Sequence, residues 1–125
     1  MKLPQKYIHP AVIAKLISLG YAVDGLNTYP RVEVHSFDTT PTGNKGNKQH
    51  DVTFIIEVID SNTDPETSID IMERIRTNID ATLTISGVAI IYIVWELLQT
   101  VEELTETDLV IQRQLQRVRF TIEEI

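Results

Sequence analysis

The apolar positions of this chain switch between a helical and an alternating period. Val12, Leu16 and Leu19 recur at helical spacing, with Ile8 and Ile13 close to the same side. They predict a helix over 8–19, with His9 as its cap and Pro10 in the first turn, where a missing N–H costs nothing. Gly20 supplies the stop. The next ten residues, YAVDGLNTYP, carry turn chemistry at Asp24-Gly25 and Asn27 and read as extended or irregular. In 31–38, RVEVHSFD, Val32 and Val34 alternate with Glu33 and His35, the pattern of a half-buried strand. In 51–60, DVTFIIEVID, the residues Val52, Phe54, Ile56 and Val58 share one face, and Thr53, Ile55, Glu57 and Ile59 share the other. One fully apolar face and one mixed face place this strand inside a sheet.

The helical period returns in 61–83. Asp64 reads as the cap, Pro65 takes the first helical position, and Glu66 and Asp70 suit the positive end of the helix dipole. Ile69, Met72, Ile75 or Arg76, Ile79 and Leu83 keep the helical period. From Val88 the chain is apolar on both faces and rich in β-branched and aromatic residues, which predicts a long strand over 88–100. A helix is the competing reading for its second half. After an acidic turn, Val118, Phe120 and Ile122 alternate with Arg117, Arg119 and Thr121 in a last strand. Ile111 and Leu115 are out of phase with that set, so a bulge or twist is expected between Gln112 and Arg117. The order α-β-β-α-β-β predicts a single α+β domain over 1–125: an antiparallel four-stranded sheet with two helices packed on one face and a long hairpin loop.

Composition narrows the chemistry. The chain has 125 residues and no cysteine, so disulfides and thiolate metal sites are excluded. A formal net charge of -7 argues against electrostatically driven DNA binding and suits a surface that does not adhere to passing nucleic acid. The start, MKLPQKYIHP, lacks the apolar core of a signal peptide. The longest apolar stretch is interrupted by Glu96 and is too short to span a bilayer as a helix, so no membrane partner is expected.

No pair among His9, His35 and His50 has metal-ligand spacing, and no nucleophile or phosphate-loop motif occurs. The expectation is a protein without enzymatic activity, cofactor or metal. Asp70 and Glu73 share a helix face where a cation site is conceivable, but a solvated face is the plainer reading. An enzyme or small-ligand domain would have to rest on His35, Asp38 and His50 around the hairpin. The loop TTPTGNKGNKQH carries Lys45 and Lys48 and leads into a strand, not a helix N-terminus, which argues for a hairpin tip ordered by a partner. Arg113, Arg117 and Arg119 form a basic stripe where no bulge intervenes, and Glu102, Glu103 and Glu106 form an acidic turn. The last strand, long and amphipathic at the chain terminus, is a hint of oligomerisation, because such edges are covered or paired with another chain.

The succession of an N-terminal helix, the strand entry YPRVEV, a polar hairpin tip, FIIEVID, the helix SIDIMERIRTNIDATL and a closing RVRFTI resembles the tail terminator, or tail completion, proteins of tailed bacteriophages. The resemblance spans nearly the whole chain. It implies a structural virion protein, made in the host cytoplasm, that forms a hexameric or larger ring at the head–tail junction or tail end. Such a ring terminates or joins the tail, meets other neck and tail proteins, and surrounds a channel through which DNA passes without sequence-specific binding. Its segment 88–101 is longer and more apolar than the resemblance implies, so another ring-forming neck protein of the same architecture stays open. Under this reading Lys45 and Lys48 meet an acidic surface of an adjacent ring or of the tube. Arg113, Arg117 and Arg119 then meet acids such as Glu102, Glu103 or Glu106 of the next subunit. The alternative is a non-catalytic interaction module of a cellular system, oligomeric through an edge strand.

Overall fold

The computed structural model describes residues 3–23, 28–41 and 49–125. Helix α1 spans Gln5–Ser18, β1 Ala22–Val23, β2 Arg31–Pro41, β3 Gln49–Asp60, α2 Glu66–Thr82, β4 Val88–Leu104 and β5 Val110–Glu124. The fold is α+β, but the expected antiparallel four-stranded sheet is replaced by a mixed sheet of five strands in the order β1-β2-β3-β5-β4. The extra strand is β1, which pairs parallel with the start of β2 through Ala22↔Arg31 and Val23↔Val32. Two residues are too short a run to display a period, so the local pattern gave no sign of it.

Helix α1 starts a turn earlier than expected, with Pro4 at the N-cap and Pro10 inside the helix instead of in its first turn. Pro10 has no N–H to offer the carbonyl of Lys6, a cost the helix carries because Ile8, Val12 and Leu16 are fully buried. The C-terminus closes on Gly20 at φ +92, where Gly20 N–H donates to Ile17 and Tyr21 N–H to Leu16. This is the paired closure that a left-handed residue permits. The N-cap of α2 is Pro65 and not the expected Asp64, which lies one residue earlier and accepts the backbone N–H of Glu66 on its Oδ1 at 3.0 Å. Met72, Ile75 and Ile79 form the buried stripe of α2.

Both helices pack on one face of the sheet. Their stripes meet Val32 and Val34 of β2, the expected face of β3, and Val118, Phe120 and Ile122 of β5. Strand β2 changes phase at a bulge between His35 and Asp38, where Ser36 sits at φ 62. The bulge turns Phe37 toward the core. Its ring stacks on Phe54 at 4.9 Å, and Phe54 in turn lies 5.3 Å from Phe120.

The bulge expected in the last strand lies elsewhere. β5 pairs with β3 in unbroken register from Gln112↔Asp60 to Glu123↔Gln49. The two interruptions fall in β4, between Ile90 and Tyr92 and between Trp95 and Leu98. The inward face of β5 continues from Ile122, Phe120 and Val118 into Gln116, Gln114 and Gln112, all buried. Two of these glutamines, Gln114 and Gln116, are satisfied by hydrogen bonding instead of apolar contact, whereas Gln112 Nε2 is buried without a hydrogen-bond partner. Gln114 donates to Ser68 Oγ at 3.2 Å and accepts from Thr100 at 2.7 Å, while Gln116 donates to the carbonyls of Leu97 and Arg117. Ile111 and Leu115 therefore belong to the opposite face, and their phase marks no bulge.

The terminal strand is not the sheet edge. β5 lies between β3 and β4, and β4 is the outermost strand.

Candidate functional site

β4 is a 17-residue strand joined to β5 by a tight turn. In that turn Thr105 N–H donates to the Leu109 carbonyl at 3.0 Å, Leu109 N–H donates to Thr105 Oγ1 at 3.1 Å, and Asp108 sits at φ 61. One side of β4 is hydrogen-bonded to β5; its other side has no strand partner among the described residues. At roughly 3.4 Å per residue this leaves an edge on the order of 50 Å long. Its side chains are mostly apolar and exposed: Ile91, Tyr92, Leu97, Leu98, Val101 and Leu104, the last at 69%. Monomeric proteins blunt long edges with charge, proline or cover. Here the two bulges and the acids Glu96, Glu102 and Glu103 are interleaved with the exposed leucines Leu97, Leu98 and Leu104.

Across the sheet face opposite the helices runs a charged network that joins all four long strands. His35 on β2 lies 2.8 Å from Glu57 Oε1 on β3. Arg113 on β5 donates to Glu57 Oε2 at 2.7 Å and, from Nε, to Glu103 on β4 at 3.2 Å. The hydrogen bond to Glu57 holds the Arg113 pKa above its ordinary value, against the opposing effect of partial burial. Glu57 is the buried centre of the network, with its side chain 8% exposed. Breaking such a pair leaves charge behind in a poorly hydrated site. Glu57→Gln, which keeps the shape and removes the charge, is expected to lower stability by about 2 kcal/mol. Glu96→Gln is the control: its partner Arg117 is 3.8 Å away and 56% exposed. It should change stability by less than about 0.5 kcal/mol. Urea titration of both variants gives the comparison, and equal small losses would mean the network contributes nothing.

The arginine stripe is thus a real face, since unbroken register puts Arg113, Arg117 and Arg119 on the same side. Arg113 is engaged with acids of its own chain, and Arg119 Nε is buried without a hydrogen-bond partner. Of the three expected acids, Glu103 meets Arg113, whereas Glu102 on β4 and Glu106 in the turn are exposed. Lys45 and Lys48 lie outside the described residues. The histidine readings separate: His9 packs edge-on against Phe37, His35 joins the network, and His50 sits opposite Pro41. His50 and Ile55, the partner of His35, are five residues apart on β3, or roughly 17 Å. His35, Asp38 and His50 therefore do not converge. Among the described residues no group of three His, Asp or Glu side chains is placed to hold a metal ion, and no helix is long and apolar enough to cross a membrane.

The buried glutamines and the position of β4 escape sequence reasoning. The glutamines look like a solvated face. The exposure of β4 depends on β5 inserting between it and β3, which nothing local encodes. The one available signal was the excess of apolar residues on both faces of 88–104.

A groove flanks the opposite side of the sheet. Gln5, Lys6, His9 and Pro10 of α1 and Val34 and Phe37 of β2 enclose about 510 Å³.

No protein-family description matches this chain. No curated protein matches it either. Among solved structures it is similar to a chain from the virion of a native gene transfer agent particle, with a TM-score of 0.68 and 17% sequence identity. The match covers 96% of this chain and 94% of that one. What the two chains share is the fold, over nearly their whole lengths.

Proposed function

We propose that this chain is a non-catalytic structural protein of a phage-like virion, assembling as a ring at the head–tail junction or the tail end. The ring terminates or joins the tail and surrounds the channel through which DNA passes. The observation that carries this reading is β4, an outermost strand whose exposed side chains are mostly apolar and whose free edge has no partner among the described residues. Such an edge belongs in an interface, because exposed apolar patches of this extent are sites of association. The whole-length fold likeness to a chain of a gene transfer agent virion supports the setting. A net charge of -7 supports the channel, since an acidic ring does not grip the phosphate backbone and lets DNA slide.

Mass photometry of the purified protein from nanomolar to micromolar concentration tests the reading. A discrete species of six or more copies, with a central opening in electron micrographs, is the expected result. Monomer at every concentration would overturn it.

A further inference from the structure

The far end of β4 and the α1–β2 groove carry apolar residues and opposite charges. Beyond its second bulge β4 keeps unbroken register with β5 from Leu98↔Gln116 to Leu104↔Val110. This straight run, LLQTVEEL from 97, presents Leu98, Glu102 and Leu104 on the helix side of the sheet and Val101 and Glu103 on the other, all exposed. The groove offers the counterpart. Pro10, Val34 and Phe37 make an apolar floor, the exposed Lys6 and His9 stand at its rim, and no acid among the described residues lines it. Its volume of about 510 Å³ suits the side chains of a short extended segment.

Resting on the ring reading above, we propose that the Leu98–Leu104 end of β4 in one copy seats in the α1–β2 groove of the next copy. Leu104 enters the apolar floor and Glu102 meets Lys6. A chain cannot fill its own groove: β2 and β4 are separated by three strand spacings, roughly 14 Å, on opposite flanks of the sheet. A β4 end seated in the groove must therefore come from another copy, and an identical chain carries the matching charge pattern. Two different surfaces meet, so the contact is head-to-tail. Unless two copies seat reciprocally, repetition of such a contact closes into a ring or runs on as a filament. The competing occupant of the β4 edge is a second β4 in two-fold pairing. The bulges at Ile90/Tyr92 and Trp95/Leu98 skew the edge and leave only the last seven residues straight for it.

The absence of cysteine makes the test clean. One preparation carries Leu104→Cys, a second carries Gln5→Cys, and each is treated alone and mixed with a short bis-maleimide. Cross-linked dimers should form in the mixture at least tenfold more than in either preparation alone, and the chain carrying both changes should give a ladder up to the size of the assembly. In parallel, Lys6→Glu should raise the concentration for half-assembly about tenfold, and adding Glu102→Lys should restore it to within about twofold. Efficient cross-linking of Leu104→Cys to itself would overturn the proposal in favour of two-fold β4 pairing. Oligomers that persist in mass photometry with no mixed cross-link would overturn the groove contact and leave the ring reading standing. Monomer throughout would remove both.

Discussion

Phe54→Ala is expected to lower the stability of the folded chain by about 3–5 kcal/mol. Phe54 is fully buried at the middle of the sheet, stacked on Phe37 at 4.9 Å and tilted against Phe120 at 5.3 Å. Truncation removes the transfer free energy of the ring, opens a cavity, and deletes two aromatic contacts worth about 0.5–1.5 kcal/mol each beyond their burial. The site cannot collapse easily, because β2, β3 and β5 hold the three rings from separate strands. Domains of this size have a total stability of roughly 5–15 kcal/mol, so this one change consumes a large share of it. Trp95 is the single tryptophan, and its fluorescence in a urea titration reports the midpoint. A loss below about 1 kcal/mol would mean that the aromatic row is not the centre of the core.

The second large effect falls on assembly and leaves the fold alone. Leu98→Asp with Leu104→Asp should keep the circular dichroism and urea midpoint of the parent, because both leucines are exposed, at 40% and 69%. The same pair should weaken association on the order of a thousandfold. Two interface anchors worth about 2 kcal/mol each correspond to that factor at 1.4 kcal/mol per tenfold. Mass photometry at fixed concentration distinguishes the outcomes. A folded double variant that still forms the parental oligomer would remove β4 from the interface.

How much of this was written in the chain depends on how local each feature is. The apolar face of β3 follows directly from period and burial, and of the expected stripe of α2 the core takes Met72, Ile75 and Ile79, with Leu83 half-buried against it and Ile69 outside it. Arg113, Arg117 and Arg119 share a face as expected. Where the pattern misled, a non-local partner had changed the meaning of a residue. Pro10 suggests a helix start, yet the buried row Ile8, Val12 and Leu16 holds it inside α1. Gln114 and Gln116 look like solvent residues until Ser68, Thr100 and the backbone satisfy them beneath α2. The parallel pairing of β1 and the insertion of β5 between β3 and β4 leave no periodic trace at all. The candidate interface was half legible: its apolar excess was visible, its place at the sheet edge was not.

The two bulges of β4 also govern how the chain can change length. Ile90 and Ile93 both lie toward the helices, as do Trp95 and Leu98, because one surplus residue at each bulge reverses the alternation. Losing one surplus residue would invert every later side chain of the strand, exposing what is buried and burying acids. Losing both would restore the far end while inverting only the segment between them. Among descendants of this sequence, single-residue deletions in β4 should therefore be rarer than compensated pairs that flank Tyr92 and Trp95.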